Sequence, residues 1–401
     1  MAQLKNCRIC DSSDLTEIMD FGNQPWCNDF LKANQVGKES FYPLVLIFCN
    51  NCNVSQLNYT VKKEVMFGDH TYLSGITRTL SDHFLEIRTD IIDKFEIKEK
   101  KKILDIGSND GTFLNHFKDI GWYTLGVEPS KKTYEIAKQK NINTVNKFFN
   151  LDLAYEINEK FSFINASGVF FHLEELHSFT KGVEFLLDKK GVFIIQFLYM
   201  DSIIKNTAFD QIYHEHLLYY NLKTLNNLLS MHNLEIFDAK LYEIHGGQMT
   251  VFVSRKNERA ISKNFLNLLK IEEEKGSNKI DNYFSFKKNI QKLKETNLKF
   301  VENAIKNNKK IFGYGAPVKG NSLLNYFGFT TKHIPKLLEV NTTRKGLYAP
   351  GSHIPVEMEN EQNELPDIFY VLAWNFKKEI LKKNRDLIKK GIEFYFPVNT
   401  Q

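Results

Sequence analysis

Long apolar runs, net charge and cysteines are all scarce in this sequence of 401 residues, and each scarcity excludes a class of protein. The longest apolar run, Gly191 to Met200, has about half the length of a membrane-spanning helix, so we expect no membrane partner. The first ten residues lack the apolar core of a signal peptide, which favours a cytoplasmic protein. The net charge is only +5, and lysines and glutamates alternate along the chain, so the composition gives no support to a nucleic-acid partner.

The few cysteines are arranged as a metal site. Four of the five form two CxxC pairs, Cys7 with Cys10 and Cys49 with Cys52. Two such pairs supply the four thiolates of a tetrahedral zinc site, and in a reducing compartment a metal is favoured over disulfides. Four thiolates leave no open coordination position, so the predicted zinc is structural. We interpret Cys27 as a small buried hydrophobic residue, with a fifth ligand as the alternative.

The chain is longer than one ordinary core requires, so we expect two or three domains. We predict a zinc-binding domain at 1–85, a central α/β domain at 86–255 and a Rossmann-like domain at 256–401. Lysine-rich helices with solvated faces are predicted for 255–308, where the last two domains join. Alternation of strands and helices in the central domain indicates a largely parallel sheet. Its predicted strands, the last two forming a hairpin, are 103–106, 123–127, 143–145, 161–166, 191–198, 234–241 and 249–254.

A nucleotide-binding corner is predicted where the first of these strands ends. Gly107 and Gly111 suit a tight turn because a residue without Cβ readily takes positive φ and lets a ligand lie against the backbone. Asp105 precedes the first glycine, unlike the acid-free GxGxxG fingerprint, and its carboxylate suits an ammonium group better than a pyrophosphate. The second strand ends at Glu128, which is placed to take both ribose hydroxyls.

Together these features match the S-adenosylmethionine site of class I methyltransferases. The alternatives are a nicotinamide dinucleotide site and a glycine turn that binds nothing. The predicted cofactor-binding residues are Asp105, Gly107, Ser108, Asn109, Asp110, Gly111 and Glu128.

Two polar clusters follow the fourth and fifth strands, at the edge of the sheet where ligands bind. His172 lies in the first cluster, and Tyr213-His214-Glu215-His216 forms the second. This quartet contains an imidazole that can act as a base, a carboxylate that can orient it and a phenol that can donate to an oxyanion. A metal site and a purely structural polar loop are the alternatives. Tyr72 lies in a loop between two domains, where a packed aromatic and a catalytic one are both possible.

The segment 309–321 repeats the arrangement of 101–113, with two lysines, a short strand and glycines at the start of a helix. Lys319 lies at this helix N-terminus, which favours an anion such as a nucleotide pyrophosphate. Further strands are predicted at 336–339 and 368–373. His245 begins a His-Gly-Gly turn of the central hairpin, whose glycines could serve the turn alone.

Several motifs then identify a family resemblance. The chain resembles the sugar-nucleotide C-methyltransferases, the 3-C-methyltransferases that act on 4-keto deoxysugars. Besides the CxxC pairs, the motifs that carry this resemblance are FGNQPxxNxF at 21–30, YLSG at 72–75, DIGSNDG at 105–111, IYHEH at 212–216, HGG at 245–247, GYGAPxKGN at 313–321, PGSHIPV at 350–356 and AWNF at 373–376.

The resemblance implies a class I methyltransferase sheet flanked by a small zinc-binding module and a second Rossmann-like domain. It implies S-adenosylmethionine and structural zinc as cofactors and a nucleotide-linked keto-sugar as substrate. By the same resemblance His216 is the base, and Tyr213 and Tyr72 contact substrate oxygens. Glu215 and His172 are further active-site groups. The third domain completes the sugar-nucleotide cleft, and its expected substrate-binding residues, with the hairpin turn, are Lys319, Asn321, His245 and His353.

The chemistry of C-methylation leads to the same expectation. Carbon attacks a sulfonium methyl group only as an enolate, which requires a ketone, a base for the neighbouring proton and donors for the oxyanion. The quartet contains these groups. An O-methyltransferase of sugar nucleotides, a zinc-module methyltransferase of RNA or protein, and a binding scaffold are the alternatives.

Overall fold

The computed structural model of the chain describes residues 2–67, 73–76, 78–96 and 99–399, so Tyr72 lies outside the described residues. Its large sheets are a four-stranded sheet near the N-terminus, a seven-stranded sheet in the centre and a five-stranded sheet near the C-terminus. Within the described ranges, no helix has the length and apolar character needed to cross a membrane.

The N-terminal domain contains two small antiparallel sheets and a cysteine cluster. Its elements are β1 (Ala2–Gln3), β2 (Leu15–Pro25), β3 (Phe41–Cys49), β4 (Ser55–Leu57), β5 (Tyr59–Thr60) and α1 (Lys63–Phe67). The Sγ atoms of Cys7 and Cys52 are 3.6 Å apart, those of Cys10 and Cys49 are 3.5 Å apart, and all four lie within 4.8 Å of one another. The four predicted ligands therefore come together in the arrangement that a structural zinc ion requires.

Local backbone geometry explains why the cysteines converge. Asp11 and Asn53 each follow a CxxC pair by one residue, and both take left-handed backbone conformations, with φ of 57° and 63°. Their amides donate to the carbonyls of Cys7 and Cys49, which closes each pair into a turn. Asp and Asn tolerate this conformation better than other side chains. Cys27 is buried outside the cluster, as its hydrophobic interpretation predicts.

The central domain contains all seven predicted strands. Their order in the sheet is β12-β13-β10-β9-β6-β7-β8, and β13 runs antiparallel to both β10 and β12. This is the class I methyltransferase fold, and it confirms the predicted hairpin. The elements are α2 (Arg78–Lys94), β6 (Lys102–Ile106), α3 (Thr112–Lys118), β7 (Tyr123–Val127), α4 (Lys131–Gln139), β8 (Thr144–Val145), α5 (Leu151–Ile157), β9 (Phe161–Ser167), α6 (Leu176–Leu186), β10 (Leu187–Leu198), α7 (Met200–Asn206), β11 (Leu218–Tyr219), α8 (Leu222–Ser230), β12 (Leu234–Tyr242) and β13 (Gln248–Arg255).

Strand β11 belongs to the central segment but pairs with the N-terminal sheet. Leu218 lies opposite Gln56 and Tyr219 opposite Ser55 on β4. The carbonyl of Leu217 also accepts a hydrogen bond from the Leu57 amide. The zinc-binding domain therefore holds the chain directly after the Tyr213–His216 quartet.

The C-terminal domain is a second, wholly parallel sheet in the order β16-β15-β14-β17-β18. Strands β16 and β18 were not predicted from the sequence, whereas the equally short β15 was. The elements are α9 (Lys263–Glu274), α10 (Ile280–Lys306), β14 (Ile311–Tyr314), α11 (Val318–Phe327), β15 (Leu337–Glu339), β16 (Val356–Met358), β17 (Ile368–Val371), α12 (Lys377–Lys383), α13 (Arg385–Lys389) and β18 (Glu393–Tyr395).

Short 3₁₀ helices carry several residues of the cleft described below. They lie at Ala33–Gln35, Ser74–Ile76, Phe170–His172, Phe209–Gln211, Ile244–Gly246, Thr342–Arg344, Glu359–Glu361 and Trp374–Phe376.

An aromatic junction joins the three domains. The ring of Phe209 lies 5.9 Å from Phe21 of the N-terminal domain and 5.2 Å from Tyr326 of the C-terminal domain, measured between centroids. Phe21 and Tyr326 also contact each other at 5.3 Å. These contacts belong to one buried hydrophobic cluster that extends through all three domains. The domains are therefore packed around the segment that begins at Phe209.

We expect purified protein to contain about one zinc ion per chain, because four thiolates close the coordination shell. Cys49→Ser removes one ligand, and we expect it to release the zinc and unfold the N-terminal sheet, as measured by metal analysis and amide hydrogen exchange. Cys27→Ala is the matched control, since this cysteine is buried away from the cluster and its loss should leave the zinc in place. A folded N-terminal sheet in metal-free protein would contradict the prediction.

Candidate functional site

A single cleft of about 1450 Å³ receives side chains from all three domains. Trp26 and Asn28 come from the N-terminal domain, Glu128 and His216 from the central domain, and Lys319 from the C-terminal domain. Pockets for one small ligand usually have roughly 300 to 1,000 Å³, so this cleft has room for a cofactor and a second molecule together.

The predicted cofactor corner lies at one end of the cleft. Gly107 has a φ of 75°, and a Cβ there would meet Val169 Cγ2 at 2.4 Å. Glu128 accepts hydrogen bonds from the amides of Asn109 and Ser130, each at 2.8 Å. Burial raises the pKa of Glu128, and these amides oppose the shift. The carboxylate thus fixes the loop after β6 while its residue lines the cleft.

Other predicted cofactor residues lie behind this corner. The described residues that line the cleft do not include Asp105, Ser108 or Asp110. Asp105 accepts a hydrogen bond from Asn165 Nδ2 at 2.7 Å, and burial raises its pKa to about 7. Asp110 accepts from Lys140 Nζ at 2.9 Å. These contacts brace the turn, and direct contact of the three side chains with the cofactor stays a prediction.

The second glycine of the corner has a packing role. Gly111 has a φ of 76° at the start of α3, and a Cβ there would meet Ile142 Cγ1 at 2.8 Å. The glycine therefore lets α3 begin directly beneath the loop that follows α4.

Sequence reasoning missed several residues of the cofactor end. Phe148 and Phe149 line the cleft just after β8, and Gln196 lines it near the end of β10. Their position at the carboxyl ends of parallel strands was the available signal, since ligands of such sheets bind there. Uncharged and mostly apolar side chains carried no chemical signature that could have singled them out.

His216 lines the cleft, with one ring nitrogen bound to the backbone. Its Nδ1–H donates to the carbonyl of Gln211 at 2.7 Å, which leaves Nε2 as the ring's acceptor. Burial lowers the pKa of His216 well below its usual value, and the nearby His172 and Lys319 lower it further. The imidazole is therefore neutral near pH 7, as a base must be before it takes a proton.

Two other predicted active-site residues lie beside His216. The rings of Tyr213 and His172 lie 3.9 Å and 5.1 Å from the imidazole, measured between centroids. His172 Nδ1 donates to the backbone carbonyl of Glu215. Burial raises the pKa of Tyr213 well above its usual value, so the phenol keeps its proton and can act as a donor.

Glu215 connects this group to the N-terminal domain. Its Oε1 accepts a hydrogen bond from Trp26 Nε1 at 2.7 Å, and the side chain of Asn28 donates as well. Burial raises the pKa of Glu215 to about 7. Both partners lie in the 21–30 motif, so the motif has a function at the cleft that sequence reasoning did not assign to those two residues.

His214 differs in position from the other three residues of the quartet. It is buried, its Nε2 donates to the carbonyl of Tyr42 at 3.3 Å, and it is not among the described residues that line the cleft. Burial lowers its pKa to about 4. This histidine joins the central segment to β3 and does not face the reaction space.

The predicted substrate-binding residues occupy different places. Lys319 lines the cleft. Asn321 is buried and its Nδ2 donates to the carbonyl of Cys27 at 2.7 Å, whereas His353 Nε2 lies 2.6 Å from Glu39 Oε1. Both therefore join the C-terminal domain to the N-terminal domain, and their contact with substrate stays a prediction. The side chain of His245 lies outside the described part of the structure.

A second corner in the C-terminal domain resembles the first. Glu339 ends β15 and accepts hydrogen bonds from the amides of Ala316 at 2.8 Å and Asn341 at 3.0 Å. Glu128 has the same position and the same kind of partners in the central domain. Glu339 and its neighbour Arg344 line the cleft, so the two corners face one space.

We expect Gly107→Ala to weaken binding of S-adenosylhomocysteine by roughly tenfold or more, since a tenfold loss corresponds to about 1.4 kcal/mol. An alanine at this position would have to take a positive φ, and its Cβ would collide with Val169. Gly168→Ala is the matched control, because Gly168 has a φ of 71° with nothing within 4 Å of a Cβ. Calorimetry should show a smaller loss for the control. Equal losses in the two variants would contradict the close approach at Gly107.

Comparison with known proteins identifies the three domains along the chain. Three family models match in succession, a "Putative zinc binding domain" at residues 7–67, a methyltransferase domain at 78–239 and a C-methyltransferase C-terminal domain at 243–399. The C-methyltransferase NovU of Streptomyces niveus is 25% identical over 401 residues, which cover 98% of this chain and 96% of NovU.

Two further similarities are partial. An uncharacterized methyltransferase of Alkaliphilus oremlandii is 31% identical over 109 residues, which cover 26% of this chain and 49% of that protein. The magnesium protoporphyrin IX methyltransferase ChlM of Synechocystis, solved with bound S-adenosylmethionine, has a TM-score of 0.36 and 12% identity over 47% of this chain and 87% of its own. With three matched domains in order along nearly its whole length, the chain belongs to the S-adenosylmethionine-dependent C-methyltransferases that have an N-terminal zinc-binding domain.

Proposed function

We propose that this C-methyltransferase adds a methyl group to the carbon beside the ketone of a nucleotide-linked keto-sugar, in the synthesis of a branched deoxysugar. The observation that carries the proposal is His216, a neutral buried imidazole whose Nδ1 is bound to the Gln211 carbonyl and whose Nε2 remains as acceptor. Carbon next to a ketone is the kind of carbon that such a base can activate.

The reaction begins with proton transfer. Nε2 of His216 takes the proton from the carbon beside the ketone, the electron pair of the broken C–H bond forms a C=C bond, and the carbonyl π pair moves to oxygen. The phenol of Tyr213 donates to that oxygen, since burial disfavours its phenolate and so keeps its proton in place. S-adenosylmethionine supplies an electrophilic methyl group on its sulfonium when it is bound.

Residues around His216 prepare it for this step. Gln211 sets the tautomer, so the same nitrogen accepts the proton in every cycle. Phe171 packs edge-on at 4.7 Å from the imidazole, and the buried surroundings exclude water from the enolate. Glu215 is held by Trp26 and so keeps the backbone between Gln211 and His216 in place.

The second corner supports a nucleotide-linked substrate. Glu339 is placed at the end of β15 as Glu128 is at the end of β7, the position from which an acid contacts a ribose in folds of this kind. The cleft is enclosed by three domains, and its cations are interspersed with carboxylates. These features favour a small anionic molecule over a polymer such as RNA, which is usually bound by a continuous basic surface.

We expect product only from nucleotide sugars that contain a ketone. Mass spectrometry of a panel incubated with S-adenosylmethionine should show a gain of one methyl group for keto-sugar nucleotides and none for the matched sugars in which the ketone is reduced to a hydroxyl. Methylation of the reduced sugars would favour an O-methyltransferase. Methylation of RNA or of a protein in place of either sugar would contradict the proposed substrate class.

We expect His216→Asn to lower both turnover and exchange of the proton beside the ketone by about 10²- to 10⁴-fold, the usual contribution of a positioned base. Exchange is measured in heavy water with S-adenosylhomocysteine bound, so that methyl transfer cannot occur. His214→Asn is the matched control, because this neighbouring buried histidine does not line the cleft. Near-normal exchange in His216→Asn would assign the base to another residue.

A further inference from the structure

Lys319 occupies an unusual place for a lysine. It lies in the first turn of α11 in the C-terminal domain, but its Nζ is 4.0 Å from Oδ2 of Asp210 in the central domain. The same Nζ lies 3.7 Å from the centroid of the Trp374 ring, which favours a cation. Only 15% of the side chain is exposed, and the residue lines the cleft together with His216.

The two partners of Lys319 hold it beside the base. Trp374 Nε1 donates to Asp210 Oδ2 at 2.6 Å, so the ring and the carboxylate are fixed to each other. Asp210 immediately precedes Gln211, whose carbonyl accepts from His216. The ammonium charge is near enough to lower the pKa of His216. Lysine and imidazole are therefore positioned by adjacent residues of one short segment.

The ammonium group of Lys319 can still donate hydrogen bonds to a ligand. The separation of 4.0 Å from Asp210 is too long for a hydrogen bond, and no acceptor among the described residues is recorded within hydrogen-bond distance of Nζ. By contrast, Lys383 in the same cleft contacts both oxygens of Glu359, at 2.7 and 2.9 Å. Burial lowers the pKa of Lys319 to about 8, while Asp210 opposes the shift, so the group is still charged at neutral pH.

We propose that Lys319 is a further catalytic residue, whose ammonium group binds the ketone oxygen of the substrate and carries the counter-charge of the enolate that His216 generates. This inference rests on the proposed function and adds a second group at the oxygen beside Tyr213. No proton leaves Lys319. The proton removed from carbon stays on Nε2 of His216, the enolate carbon forms the bond to the methyl group, and the C–S bond breaks to leave a neutral thioether.

The location distinguishes this role from the one expected from the sequence. A lysine at a helix N-terminus suits a pyrophosphate, and the sequence predicts that ligand for Lys319. The side chain instead points to Asp210, next to the residue that orients the base. Transition-state charge develops at the ketone oxygen near His216, and a fixed cation there lowers the barrier for enolate formation.

The test compares Lys319→Met with wild-type full-length protein on the keto-sugar nucleotide that wild type methylates. We expect kcat to fall by about 10²- to 10³-fold, the usual loss for one oxyanion donor, with KM changed only a few-fold. Proton exchange in heavy water with S-adenosylhomocysteine should fall with kcat. Lys336→Met is the matched control. This lysine is also largely buried, with 18% of its side chain exposed, and it likewise has a carboxylate partner, Glu357, and an aromatic partner, Phe312. It is not among the described residues that line the cleft.

Removal of the lysine leaves the buried Asp210 carboxylate without its cation, which could destabilise the fold. A second variant therefore separates loss of catalysis from misfolding. Asp210→Asn combined with Lys319→Met removes both charges and keeps an acceptor for Trp374. The affinity of S-adenosylhomocysteine reports whether either variant is folded. The same loss of exchange in the folded double variant supports the inference.

Two results would overturn the inference alone, with the proposed function intact. One is a large rise in KM with kcat preserved, which would assign Lys319 to the diphosphate. The other is unchanged exchange and turnover in both variants. Failure of wild type to methylate any keto-sugar nucleotide would overturn the proposed function and this inference together, so the two failures are distinguishable.

Discussion

The segment from Phe209 to Tyr219 is the part of the chain on which the rest of the site depends. Its first residue packs against aromatic rings of the other two domains, and its last two residues pair with strand β4. Between them, Asp210 is bound by Trp374 and Glu215 by Trp26. Every one of these contacts comes from outside the central domain, so the other two domains help to hold the segment that carries His216.

In this arrangement the zinc-binding domain supports the cleft, although its four cysteines are not among the described residues that line it. In small zinc peptides the metal contributes roughly 10 to 16 kcal/mol of apparent folding free energy, enough to stabilise a small sheet. That sheet then holds β11 and orients Trp26. A rigid support is needed because a base loses much of its effect when it moves by about 1 Å from its productive position. The zinc-binding domain is thus connected to the segment of His216 by backbone pairing and by one indole hydrogen bond.

The sequence predicted the structural features that depend on the spacing of residues close together in the chain. The seven central strands, the glycine corner with Glu128 and the cysteine cluster all follow from periodicity or from short motifs. What depends on contacts between distant segments was not predicted. His214 and His216 are two residues apart and chemically alike, yet only the fold shows that one joins β3 while the other lines the cleft. Likewise the motif predicts Asn321 as a substrate-binding residue but does not predict that its amide joins two domains.

We propose that these contacts hold His216 where it can remove a proton from the carbon beside the ketone. The most direct test is therefore to determine which atom of the product carries the transferred methyl group. S-adenosylmethionine labelled with ¹³C in the methyl group is incubated with a keto-sugar nucleotide, and the product is analysed by NMR. The account predicts a methyl carbon bonded to the ring carbon beside the ketone. A label found on a sugar oxygen, or transferred to RNA or protein while the keto-sugar stays unlabelled, would contradict it.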